Sequence, residues 1–191
     1  MKPNRNAPVR LLVGIVAVWA GLQAGTARLH ADPKPQVFTV DVAVNHATFA
    51  IIPSTGLVLS PEPLGPNRGT TFVVDGTVFP GGTLATGVAM GDPNQPGIGK
   101  WTCKGVFTSD LGTEDVGFNT TQLFMFDGDS DAIWTEGFEA GLGKIGVVTH
   151  RTILGGTGRF QGVSGEAIQE ALGTNVTGTP NIRLTFKVLK H

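Results

Sequence analysis

The chain of 191 residues predicts an all-β protein whose sheet closes on itself, and three observations carry that expectation. It holds 28 glycines and 12 prolines, so turns are frequent and long helices improbable, while 40% hydrophobic residues exceed what a disordered chain contains. Several runs alternate apolar with polar or small residues, the two-residue period of a half-buried strand. The last of them, Ile182 to Leu189, is too apolar to stand as a free edge, which predicts that it pairs with the first strand.

Lys2, Arg5 and Arg10 precede an apolar run from Leu11 to Leu22, and Ala24, Gly25 and Ala27 follow it, the layout of a secretory signal peptide. The run is short for a bilayer span. Cleavage fits after Ala27 or after Ala31. With the second, residues 1–31 are a leader and residues 32–191 form one secreted or periplasmic domain with no stable membrane span after cleavage. An uncleaved anchor is the other reading of this segment.

Gln36 to Val44 then sets Phe38, Val40, Val42 and Val44 on one face and Asp41 on the other. Phe49 to Pro53 and Leu57 to Leu59 are short strand candidates before a proline-rich loop from Pro61 to Arg68. Thr71 to Phe79 is a strong strand in which Asp75-Gly76 marks a hairpin or a bulge. Gly91 to Gly99 is an exposed loop. In Lys100 to Phe107 the residues Trp101, Cys103 and Phe107 form one row, expected to face the interior. Asn119 to Phe126 and Ala132 to Phe138 flank Asp127 to Asp131, whose acids lack the glycine and glutamate of a calcium loop and read as a charged hairpin turn. Lys144 to Leu154 and Gly165 to Leu172 are joined by Gly155, Gly156, Gly158 and Gly162. That turn is no nucleotide site: Gln161 stands where a dinucleotide fingerprint needs its third glycine, and no Lys-Ser/Thr follows as in a P-loop.

The same glycine-rich corner carries a family resemblance. Thr152 to Gly165 resembles the T-G-G-T-G-x-F/Y-x-G-x-x-G segment of the allene oxide cyclase and dirigent proteins, with Ile153 and Leu154 replacing the usual residues before the double glycine. Gly69 to Thr83 and Gly97 to Gly105 resemble the bacterial branch of that family, and Asn181 to Leu189 resembles its closing strand. The similarity covers most of the chain after the leader. It implies an eight-stranded antiparallel β-barrel of calycin-like architecture with an apolar cavity, no cofactor, and assembly as a homodimer or homotrimer. Asp41 is a loose match to the aspartate early in the first strand of dirigent proteins, and Glu136 stands where the relatives carry glutamine before glycine. The Glu-x-Asn pair of the plant cyclases is not reproduced by Asp41 and Asn45.

Composition excludes several functions. A formal net charge of −1, with no basic cluster after the leader, gives nucleic acid and polyanions no foothold. His30, His46, His150 and His191 are scattered without zinc-ligand spacing, so no metal is expected. Cys103 is the single cysteine and forms no internal disulfide; it reads as a small buried hydrophobe, with a Cys103–His150 pair as the competing reading. What remains is a barrel around a hydrophobic small molecule. Asp41, Glu136 and Arg151, ionisable residues within apolar strands, are the candidate catalytic groups. Asn45, Trp101, Cys103, Phe107, Phe126 and Trp134 are the candidate ligand contacts, core packing being the alternative for each aromatic. Two functions compete: cofactor-free steering of cyclisation or coupling, and carriage or an envelope role without turnover. Convergence of Asp41, Glu136 and Arg151 in one pocket favours chemistry, and dispersal favours binding alone.

Overall fold

A computed structural model describes residues 34–52, 68–110, 116–140 and 144–191. The expected leader and the strand candidate Leu57 to Leu59 lie outside the described residues. The strands are β1 (Gln36–Val44), β2 (Ala50–Ile52), β3 (Thr71–Pro80), β4 (Gly99–Phe107), β5 (Gly117–Phe126), β6 (Asp131–Ala140), β7 (Val148–Thr157), β8 (Val163–Thr174) and β9 (Pro180–Lys190). Each pairs antiparallel with its neighbour in the order β1-β9-β8-β7-β6-β5-β4-β3, and β1 also pairs with β3. The result is a closed eight-stranded barrel, onto which the short β2 adds beside β3. The apolar last strand lies against the first in register from Gln36 opposite Val188 to Ala43 opposite Asn181, so neither leaves a free edge.

Alternation decides what fills the lumen. Val40, Val42 and Val44 from β1 meet Ile182, Leu184, Phe186 and Val188 from β9, and Trp101, Cys103 and Phe107 from β4, in one buried cluster. Each large apolar side chain so buried contributes about 1.5–3 kcal/mol. In one half of the lumen rings meet: Phe38 stacks on Phe186 at 4.8 Å and on Phe160 at 5.8 Å, while Phe124 meets Phe186 edge-on at 5.1 Å. Beyond them Phe38, Phe126 and Phe160 line a half-open hollow at that end. Arg159 caps that end over the rings of Phe126 and Phe160.

Two local expectations are corrected by the strands themselves. Asp75-Gly76 is neither hairpin nor bulge, because β3 runs through it in unbroken register with β4. Glycine is needed there for space: a Cβ would sit 2.7 Å from the Ala43 carbonyl oxygen and 3.1 Å from the Trp101 ring. Likewise Gly155 and Gly156 belong to β7, and the corner itself begins at Gly158, in a short 3-10 turn that buries Phe160. Leu154 is the extra residue of a bulge, since Trp134 pairs with Gly155 and Thr135 with Ile153.

Outside the barrel, the segment after β3 covers an apolar strip. Leu84 packs on Ala43, Phe79 and Leu172. The segment is stitched down by backbone bonds: Gly87 N–H donates to Leu172 O, Thr174 N–H to Gly87 O, and Val176 N–H to Gly91 O. Ala43 on the outer face of β1 is thereby covered, while Val37 on the same face stays exposed.

Candidate functional site

The other half of the lumen is hollow. The inward rows at the C-terminal ends of β1, β4, β6 and β8 and the N-terminal ends of β3, β5, β7 and β9 surround a cavity of ≈ 130 Å³. Its walls are Val44, Phe72, Val74, Trp101, Cys103, Phe107 and Phe118, and its polar lining includes Gln122, Glu139 and Gln169.

Behind the cavity is a buried charge pair. The Arg151 side chain is 0% exposed, and its Nη1 donates to Glu139 Oε1 at 2.6 Å. Arg151 also donates from Nη1 to Thr120 Oγ1, from Nη2 to Thr120 O, and from Nε to Thr135 Oγ1 at 3.0 Å. Burial lowers the guanidinium from its ordinary value, and the Glu139 carboxylate opposes that shift. Thr120 Oγ1 at 2.5 Å and Gln122 Nε2 at 3.1 Å donate to Glu139 Oε1, while Gln169 Nε2 donates to Glu139 Oε2 at 2.8 Å. Gln122 Nε2 also donates to Gln169 Oε1 at 2.8 Å. Because a carboxylate accepts and never donates, this network fixes which end of each amide is nitrogen.

That assignment leaves an acceptor unused. Among the described residues, the buried side-chain atoms without a partner are Trp101 Nε1, Gln122 Oε1 and Asn181 Oδ1. The first two belong to residues that line the cavity, at 3% and 1% exposure. Both atoms are closed off by their own neighbours, so they are unpaired polar atoms within the wall rather than groups presented to the hollow.

The candidate residues disperse. Arg151, Trp101, Cys103 and Phe107 face this half of the lumen or its floor, whereas Phe126 lines the separate hollow at the opposite end, beside Phe160 and Arg159. Asp41 is buried on the outer side of β1, where it accepts from Leu84 N–H at 2.8 Å and from Arg183 Nε at 2.8 Å and Nη2 at 3.0 Å, anchoring the covering segment. That partnership raises Arg183 above its ordinary value. Glu136 is exposed and Trp134 half-buried on the outer wall, because β6 turns Ile133 and Thr135 inward. Asn45 lies at the rim and caps a 3-10 turn by accepting from Ala47 N–H. Glu139, Gln122, Gln169, Thr120 and Thr135 complete the site and were absent from the sequence-derived set.

Cys103 and His150 do not meet. His150 is exposed and bonds Glu166 from outside the wall, while burial, reinforced by nearby Glu139, pushes the Cys103 thiol far above its usual range. The thiol is therefore expected to be inert in the folded protein. Iodoacetamide at about pH 8 should leave Cys103 unmodified until urea unfolds the chain, read as a single mass increment by mass spectrometry. Labelling of the native protein at the rate of a free thiol would contradict its burial.

This closed antiparallel barrel has the allene oxide cyclase-like fold of the dirigent proteins. The pterocarpan synthase dirigent protein PsPTS1 matches with a TM-score of 0.59 at 14% identity, over 84% of this chain and 97% of that one. The pterocarpan synthase dirigent protein GePTS1 matches at 0.56 and 16% identity, over 82% and 88%. A pyocyanin demethylase matches at 0.51 and 15% identity, over 80% and 99%. No protein-family model matches the chain, and no curated protein matches it in sequence. At these identities the likeness is one of fold.

Proposed function

We propose that this barrel binds a hydrophobic small molecule in the hollow half of its lumen, after export directed by residues 1–31. The observation that carries the reading is the apolar cavity walled by Phe72, Trp101, Cys103, Phe107 and Phe118, with Gln122, Glu139 and Gln169 as its polar lining. Structural neighbours named for a pterocarpan and for pyocyanin support it. The dispersal of Asp41, Glu136 and Arg151 favours binding over turnover. Cofactor-free chemistry is the second reading, and one feature favours it: Glu139 lines the cavity, where its carboxylate would stabilise positive charge developing on a bound molecule.

Native mass spectrometry of the protein purified from its own source tests the first reading, with a retained metabolite as the expected result and subunit number read from the same spectrum. Apo protein that takes up no hydrophobic compound from the same extract would overturn it. Turnover, if present, should be lost in Glu139→Gln with ligand retained, and unaffected in Glu136→Gln.

A further inference from the structure

The opposite end of the barrel holds a second and larger hollow. It is half-open, with a volume of ≈ 530 Å³, inside the range of about 300–1,000 Å³ that small-molecule sites occupy. Its floor is apolar: Val40, Phe126, Phe160, Val163 and Val188 are buried there, and Phe38 is half-buried beside them. Its rim is cationic. Lys190 continues the inward row of β9 past Val188, and Lys34 stands just before Gln36, the residue of β1 that pairs with Val188. Both lysines are exposed, and among the described residues neither ammonium group pairs with a carboxylate. Arg159 also lines the hollow, but its charge is matched by Asp131, 3.3 Å from Nε, and its guanidinium lies over the rings of Phe126 and Phe160. The described lining contains no aspartate or glutamate, so the surplus charge at this mouth is that of the two lysines. The cavity at the other end is the reverse, with Glu139 in its lining and no lysine, arginine or histidine.

We propose that this hollow is a second binding site, for a small amphipathic anion whose apolar body lies among Phe38, Phe126 and Phe160 and whose acid group is held at the rim by Lys34 and Lys190. A flat aromatic body gains most from a floor of rings. A neutral molecule of the same shape gains the floor alone, and a cation meets like charge at the mouth. The two hollows have no lining residue in common, so this site stands or falls separately from the one that contains Glu139.

Calorimetry of the purified protein with three probes that share one ring system and differ in charge tests this: 2-naphthoate, 2-naphthamide and 2-naphthylmethylammonium. At low salt the carboxylate should bind about fivefold or more tightly than the amide, and the ammonium most weakly. Raising the salt to about 0.5 M should shrink that preference, because the rim is solvated. Lys34→Gln with Lys190→Gln alters only exposed side chains; it should bring 2-naphthoate down to the affinity of the amide and leave the amide unchanged. Lys34→Glu with Lys190→Glu should reverse the order and favour the ammonium, a result that a loss of structure would not produce. Equal affinity of the three probes for the unaltered protein would overturn the proposal. So would 2-naphthoate binding that either lysine replacement leaves as it was, and so would failure of 2-naphthoate to bind at all. Each of these results leaves the reading of the Glu139 cavity intact.

Discussion

Arg151→Met is expected to cost about 3–5 kcal/mol of folding stability, because it strands one half of a buried ion pair. The guanidinium serves Glu139, Thr120 and Thr135 at once, and its side chain has no exposed surface, so water cannot replace those bonds. Methionine matches the length of the stem but supplies no donor. Glu139 would be left among Thr120, Gln122 and Gln169 without its cation. The urea midpoint should fall with little change in the slope m, the sign of lost stability in an unchanged fold. Adding Glu139→Leu should recover much of the loss, since an apolar pair needs no desolvation of charge. A single-variant cost below about 1 kcal/mol would mean that the pair behaves as if solvated.

Gly173→Ala is expected to be the next most damaging change, on the order of 3 kcal/mol, through backbone alone. Gly173 has φ +120°, and a Cβ on it would collide with the Gly87 carbonyl oxygen that accepts from Thr174 N–H. The residue also sits at the register shift of β8 between Ala171 and Gly173, where Leu172 turns outward to meet Leu84. The strand must either distort or release the segment that covers Asp41. For a domain of this size the melting temperature should drop by roughly 6–12 °C, with faster proteolysis between Gly81 and Gly97. Gly82→Ala is the control: φ is +86° there too, but nothing lies within 4 Å of the added atom. A matching loss at both positions would show that left-handed backbone strain alone is responsible.

The strands that define the barrel were legible because their inward rows are nearly pure. Phe38, Val40, Val42 and Val44 on β1, and Ile182, Leu184, Phe186 and Val188 on β9, announce their face without help from tertiary structure. The site was only half legible, because polar residues on an inward row look like errors in the pattern. Thr120 and Gln122 share the parity of Phe118 and Phe124, which was the available clue. Glu139 shares the parity of Ile133 and Thr135, yet a strand ended at Phe138 leaves it out and promotes Glu136, one step out of phase. Asp41 stood out as an acid in an apolar strand, but its partner Arg183 lies on β9, a pairing fixed by closure of the sheet. The segment over the outer wall has no period at all, and its place is set by long-range contacts, the backbone bonds to β8 and the Leu84 bonds to Asp41 and Arg183.

Phe124 and Phe186 meet edge-on and line neither hollow, so among the described residues the two ends of the barrel share no wall. A substitution that reshapes one end therefore leaves the lining of the other as it was, and the two can diverge independently.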